Sequence, residues 1–319
     1  MHNAIRGLVF AGLAALYAAC SWIEPGRIVT SPGTTRESTA VGFGAMMTAV
    51  SQADVILIGE AHDIAAHHIN QAQIIRRVGA IHGGVHVVME MLDLDDRNPR
   101  PRIAADDTRT WNSVKNALAW ESSGWPDWKM YQPIFAAARA VSSPVYAGLP
   151  PKSVVRALMP EKSTANTYGY FEQEDLTAPM PAAVEKALYA DLQTSHCNLL
   201  DSQQLVHMAR GQRARDAGMA RTILALVSRR IDSRPVVLIA GNGHVRTDYG
   251  VPWHLDRLAG SQTQRLKIVT IGQYSEPTQS VESDPADTHV YDFVVYQGRS
   301  NRPDPCEGLG KHFKATKTP

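Results

Sequence analysis

Two short, wholly apolar runs constrain this chain more than any other feature: "VILI" within "VILIGEAH" at 55–62 and "VVLIA" within "VVLIAGNGH" at 236–244. A strand with one face in water alternates apolar and polar residues, whereas a run without alternation is covered on both faces. Both runs therefore predict interior strands of a parallel sheet with helices on either side. Each ends in the same way, with a glycine, two residues and a histidine: Gly59 to His62, and Gly241 to His244. The glycine is expected to let the chain turn sharply at the strand end, which aims the histidine back over the sheet edge.

The intervening sequence supplies more elements of the same kind. "HVVMEM" at 86–91 reads as a second buried strand. Before it comes a helix with Asp63 as cap, with Ile69, Ala72, Ile75 and Val78 at helical spacing, and with Gly83-Gly84 as its stop. A strand, a helix and a strand at this spacing predict a right-handed parallel crossover. Tyr131, Ile134, Phe135, Ala138 and Val141 mark a further amphipathic helix, and "SPVYAGL" at 143–149 a third strand. Residues 152 to about 230 lack strand signals and are expected to form a helical insertion that acts as a lid, its last helix presenting Met219, Ile223 and Leu226 on one face. "LKIVTIG" at 266–272 and "YDFVVYQG" at 291–298 complete the sheet. The expected fold class is α/β, a mostly parallel sheet flanked by helices, with a helical insertion forming a lid.

The N-terminus reads differently. "MHNAIRGLVFAGLAALYAAC" has Arg6, an apolar stretch from Gly7 to Ala19 and small residues before Cys20, which is the layout of a secretory signal. Ordinary cleavage with Cys20 incidental is one reading. The favoured one is a diacylated Cys20 followed by Ser21, which suits outer-membrane sorting, although Tyr17 stands where a lipobox usually has leucine. The expected organisation is a signal peptide over 1–19, a lipidated tether over 20–40, an α/β domain over 41–310 and a flexible tail over 311–319. The expected place is the bacterial cell envelope, lipid-anchored in the outer membrane and facing the periplasm. The chain has 32 Lys and Arg against 31 Asp and Glu, a balance that leaves no electrostatic footprint for nucleic acid. Beyond Cys20 the cysteines are Cys197 and Cys306, which an oxidising compartment invites to pair; two buried thiols are the alternative.

Sites in open parallel sheets lie beyond the carboxyl ends of the strands. That edge receives Glu60 and His62 from one strand, Glu90 from the next, Gly148 from the third, and Asn242, His244 and Arg246 from the fourth. Glu90 breaks an apolar run, and a buried charge without a partner is costly. Two histidines with Glu60 and Glu90 suit a divalent metal held by nitrogen and oxygen, and equally suit acid–base work on a bound molecule. His67 and His68, on the following helix, are expected to be solvated.

The segments "VILIGEAHD", "VVMEM", "GWPDWKMYQPIFAAA", "SHCNLL", "GQRARDAGMA" and "VVLIAGNGHVRTDYGVP" follow one another over about residues 40 to 310. Together they resemble the ChaN family of haem-binding lipoproteins, within the wider Tiki, TraB and erythromycin-esterase-like superfamily marked by paired Gly-x-x-His motifs. The resemblance implies haem binding at the cell envelope for iron uptake, with the iron held through a tyrosine. It also implies a homodimer that brings two haems face to face, and an outer-membrane haem receptor as a further partner. Tyrosinate is a sensible donor to ferric haem. Tyr168 and Tyr170, in "NTYGYFEQ", are preferred over Tyr131, whose register with Ile134 and Phe135 places it in the core. The segments "SHCNLL" and "RPDPCEGL" match the family pattern and imply a Cys197–Cys306 bridge. No Cys-x-x-Cys-His or Gly-x-Ser-x-Gly is present, which excludes covalent c-type haem and argues against serine hydrolysis. The rival reading is a metal-dependent hydrolase in which Glu60, His62, Glu90 and His244 hold a metal that activates water, with Arg246 as a further catalytic candidate. A third is an envelope scaffold with vestigial sheet-edge residues.

Overall fold

The two apolar runs lie side by side as parallel strands, with Ile58 opposite Ile239, and all their side chains are buried. Burying one Val, Leu or Ile is worth roughly 1.5–3 kcal/mol, so this pair is the natural centre of the molecule. The computed structural model describes residues 26–30, 39–94, 100–159, 179–228, 233–259, 266–275, 288–297 and 306. Cys20, Tyr168 and Tyr170 lie outside the described residues.

In chain order the strands are β1 (Ile28–Thr30), β2 (Thr39–Val41), β3 (Val55–Ile58), β4 (His86–Asp93), β5 (Pro101–Ile103), β6 (Val145–Leu149), β7 (Val236–Ile239), β8 (Ile268–Tyr274) and β9 (Phe293–Tyr296). Among the described residues they form one nine-stranded sheet in the order β2-β1-β9-β8-β3-β7-β4-β6-β5. The run from β9 to β6 is parallel throughout. Antiparallel β1, β2 and β5 close its edges. The helices are α1 (Phe43–Val50), α2 (Ala65–His82), α3 (Trp111–Ala117), α4 (Trp128–Ala140), α5 (Lys152–Leu158), α6 (Ala182–Ser195), α7 (Ser202–Ser228) and α8 (Val251–Ala259). None of the described helices is long and apolar enough to cross a membrane.

Strand alternation sorts the core into two layers. Ile56, Ile58, Val87 and Met89 face α1, α2 and α4, where they meet Met46, Ile75, Val78, Ile134 and Phe135. Val55, Leu57, Val88 and Leu238 face α7 and α8, meeting Met219, Ile223, Leu226, Val251 and Leu255. The long helical stretch after β6 thus does two things. The C-terminal half of α7 is one of the two layers that bury the sheet. The first and middle turns of α7 carry α5 through Val155, Leu158, Ala214 and Ala217, and α6 through Leu188, Leu192 and Ala209. Cys197, just after α6, is joined to Cys306 across a sequence separation of 109. A loop of that length lends on the order of 4 kcal/mol in the chain-entropy account of disulfides.

Two expectations need correction. The stretch 20–40 is not wholly a tether: β1 is buried at Ile28 and Val29 and pairs with β9, so part of it is sheet. A three-residue strand leaves too short a pattern for alternation to show. Nor does Asp63 cap α2; the cap is Ile64, without a side-chain hydrogen bond, while Gly83 ends the helix in the left-handed conformation as its position suggests.

Candidate functional site

The site lies where the order of strands reverses. β3 leads through α2 to β4, which leaves a place that β7 later fills; from β7 the chain passes beyond β3 to β8. Such a reversal opens a crevice at the carboxyl ends of the strands. The β4–β7 ladder reaches Met89 and Ile239 and stops. Beyond it the Glu90 side chain takes over, Oε2 accepting the Gly241 backbone N–H at 2.8 Å.

The glycines of the two motifs do not serve as turn residues. Neither has a positive φ, and Gly241 is extended at φ −60° and ψ 151°. Each instead clears space for the other motif. A Cβ on Gly59 would collide with Asn242 Oδ1, and one on Gly241 would stand 3.1 Å from His62 Nε2. Asn242 bridges over the end of β3 to β8, donating to the Gln273 carbonyl at 2.7 Å and accepting the Gln273 N–H at 3.0 Å. Gln273 in turn donates to the Gly59 carbonyl at 2.6 Å. This clamp holds the two histidine-bearing turns together.

On the β3 side, Glu60 is 2% exposed and fully engaged. Its Oε1 meets His62 Nδ1 at 2.8 Å and accepts the Tyr131 hydroxyl at 2.6 Å. Oε2 accepts Gln71 Nε2 at 2.8 Å, with His68 Nε2 3.4 Å away. Burial opposes ionisation of Glu60, but the hydrogen bond from His62 and the adjacent His68 outweigh it and hold the carboxyl at about 2. Burial also favours a neutral His62; the bond to Glu60 and the charges of Glu90 and Glu60 override it and raise its pKa. The His62 ring is 35% exposed, and its Nε2 faces the crevice 4.0 Å from Glu90 Oε2.

On the β7 side, His244 is enclosed. Its Nε2 lies 3.1 Å from Glu90 Oε1 and its Nδ1 2.5 Å from Asp216 Oδ1, with the Gln212 amide 2.9 Å from the same nitrogen. Burial works against charge on His244, yet Glu90 and Asp216 push it up to about 10. Glu90 is held well below the usual carboxylate range by His244, His62 and the Gly241 N–H despite its burial. Burial raises Asp216 to about 6, with His244 restraining the rise. The floor is thus a row of alternating carboxylates and imidazoles running Glu60, His62, Glu90, His244, Asp216, in which His244 is a cation at neutral pH and the pKa of His62 is raised.

Glu60, His62, Glu90 and His244, read from the sequence as sheet-edge partners, do converge. As metal ligands they fit poorly, because both nitrogens of His244 and one of His62 are taken up by carboxylates. Among the described residues no three His, Cys, Asp or Glu side chains are grouped to hold a metal ion. Arg246 does not join them: it bonds Asp248 at 2.8 and 3.0 Å and stacks over Tyr249. Tyr131 is core. Burial and the Glu60 charge raise its phenol well above the ordinary range, so it stays a neutral donor and not a tyrosinate. His67 and His68 are buried, contrary to the expectation of solvated rings. His67 Nδ1 accepts the Ala61 N–H at 3.0 Å, and His68 packs on the Tyr131 ring at 4.1 Å.

Gln212 and Asp216 join the site without being among the residues that the motifs single out, although "GQRARDAGMA" holds a signal. Ala209, Gln212, Asp216, Met219 and Ile223 share one helical face, and a carboxylate on an apolar face asks for a buried partner. Above the floor opens a cleft of about 390 Å³. Trp125, Leu149, Pro150, Val155 and Met159 supply its apolar walls. Trp125 meets the His62 ring edge-on at 4.9 Å. The segment "GWPDWKMY" places it there: Asp127 caps α4 by accepting the Lys129 N–H, so Trp125 sits just before a helix whose Tyr131 lies under Glu60.

Comparison with known proteins bears on this site. The profile of a family described as haem-binding uptake, Tiki superfamily, ChaN matches residues 46–255. The ChaN structure from Campylobacter jejuni, described as showing cofacial heme binding, is similar in fold: TM-score 0.62 at 22% identity, over 86% of this chain and 97% of that one. The type III effector HopBA1 gives a TM-score of 0.37 at 14% identity, over 80% of this chain and 92% of its own. An erythromycin esterase variant in its open conformation gives 0.36 at 15% identity, over 83% and 81%. No curated protein sequence matches the chain.

Proposed function

The chain belongs to the ChaN family of haem-binding uptake proteins in the Tiki superfamily, and from that premise we propose that it holds haem in the cleft above β3, β7 and β4, as an envelope lipoprotein that takes part in iron uptake. The observation that carries this reading is that the family match, residues 46–255, includes every residue lining the cleft. Haem is a flat apolar plate with a polar edge, and the cleft pairs an aromatic and aliphatic wall with a polar floor. When bound, haem would supply a ferric centre that an oxygen donor of the protein would hold.

Tyr168 or Tyr170 is proposed as that donor, both outside the described residues. The buried neutral phenol of Tyr131 is unsuited to it. The cofacial heme binding described for the Campylobacter jejuni protein supports a homodimer here, with two haems facing each other. Membrane attachment is assigned to a lipidated Cys20, with an outer-membrane haem receptor as the exchange partner.

The test is a haemin titration of the protein lacking residues 1–20, followed in the Soret region. Tyr168→Phe or Tyr170→Phe is expected to weaken binding and shift the spectrum, with His62→Ala and His244→Ala having less effect on the iron signal. The rival, a metal-dependent hydrolase, predicts the reverse. Protein that ignores haemin yet carries a stoichiometric divalent metal, lost in His62→Ala, would replace this reading with that one. Cys20→Ser is expected to release the full-length chain from membranes; unchanged processing and attachment would remove the lipoprotein part alone.

A further inference from the structure

The cleft has a second polar feature, separate from its floor. Lys152, Arg156 and Arg215 all line it. Lys152 and Arg156 stand one turn apart on α5, and Arg215 reaches in from α7. Lys152 Nζ donates to the Ser123 carbonyl at 2.7 Å, which spends a hydrogen bond but, among the described residues, brings no opposite charge. Arg156 and Arg215 have no hydrogen bond or ion pair among the described residues. Among the described residues no carboxylate of the cleft bonds them, although Arg215 favours the charged form of Asp216 through space. Glu60 and Glu90 are bound to His62, His244 and a backbone N–H, and Asp216 to His244. A single unpaired surface cation is ordinary. Three of them converging on one concave site, in a chain with almost as many acids as bases, are not explained by the fold.

Guanidinium groups bind carboxylates and phosphates as planar forks, and an ammonium adds a point charge. The same cleft is also lined by the apolar side chains of Trp125, Leu149 and Pro150. A ligand that satisfies both is an apolar plate with carboxylates on one edge. We propose that Lys152, Arg156 and Arg215 form an anion-binding rim that takes the propionate carboxylates of the porphyrin, and so fixes which edge of the haem faces α5 and α7. This rests on the reading that haem occupies the cleft. It goes further in naming the residues that distinguish a dicarboxylate porphyrin from a neutral one.

The experiment compares haemin with haemin dimethyl ester, whose propionates carry no charge, on the full-length protein in detergent. The wild type is expected to bind haemin about tenfold to a hundredfold more tightly than the ester, the scale of one or two charge-assisted hydrogen bonds. In the double variant Arg156→Gln/Arg215→Gln that preference is expected to disappear while affinity for the ester is kept, which also shows that the cleft is still folded. Equal binding of haemin and ester by the wild type overturns the rim assignment and leaves the haem reading standing. A preference that survives in the double variant also overturns it, placing the carboxylates elsewhere. Inorganic phosphate that displaces haemin and ester equally would assign the rim to a free anion, against the proposal. Failure of the wild type to bind either porphyrin overturns both readings.

Discussion

The two Gly-x-x-His motifs have the same spacing, follow neighbouring strands of the same type and meet over the same crevice, yet their histidines have different tasks. His62 keeps one face to the cleft, with its ring 35% exposed and one firm carboxylate partner at 2.8 Å. His244 has its ring 8% exposed and is gripped by carboxylates at both nitrogens. The difference originates in what lies outside each motif. α7 brings Asp216 and Gln212 onto His244, whereas Trp125 only edges His62 and leaves the ring open. A repeated motif therefore fixes where two side chains stand; the elements packed around it decide which is a locked cation and which meets a ligand.

The sharpest way to break this comparison is to remove each ring. His244→Ala leaves Glu90 and Asp216 buried and facing each other without the cation between them. The expected loss is about 3–5 kcal/mol in chemical unfolding, the scale for breaking a buried ion pair. A loss no larger than that of His62→Ala would show that the two motifs are equivalent after all.

Titration refines the same contrast. The folded pKa of His244, about 10, lies above its ordinary value of 6.5, so its contribution is complete below pH 6.5 and is lost as pH rises through about 10. Glu60 behaves oppositely, with a contribution present above 4.5 and lost as pH falls through about 2. Asp216, raised from 3.8 to about 6, subtracts stability as pH climbs through that interval. His254, lowered to about 3 by burial, with Arg213 and Arg257 adding to it, subtracts as pH falls below 6.5. The alkaline limb of a stability–pH profile is thus expected to flatten in His244→Gln. A limb of unchanged slope would assign it to other groups.

The glycines carry the comparison to smaller effects. In Gly59→Ala the new methyl meets Asn242, whose carbonyl oxygen and Cα are held by the bridge to β8, so a loss of about 1–3 kcal/mol is expected. In Gly241→Ala the methyl meets the outer end of the His62 ring, which can turn aside into the cleft. A loss of about 1 kcal/mol or less is expected, together with altered haem binding. Thermal melts of the two variants measure this directly, and equal losses would mean that both turns are equally rigid. The smallest effect on stability is expected from His62→Ala, about 1 kcal/mol or less, because Glu60 retains Tyr131 and Gln71.

The central strands, the crossovers between them and the meeting of Glu60, His62, Glu90 and His244 at one edge could be read from the sequence. Each is carried by a strong local pattern: an unbroken β-branched run has only one well-covered place in a sheet, and a glycine with polar residues after it marks the strand's carboxyl end. Local pattern failed where a residue's environment comes from a distant element. His67 and His68 look like solvated helix positions until the Ala61 N–H bonds one and Tyr131 of α4 packs on the other, and β1 becomes a strand through its pairing with β2 and β9. The sequence by itself determined an α/β sheet with a paired histidine and carboxylate edge. Only the tertiary structure decided that His244 is a buried cation, that His62 faces the cleft and that Arg246 turns away, because charge and burial depend on which side chains are within about 4 Å, and the strands bring those together from more than 150 residues apart.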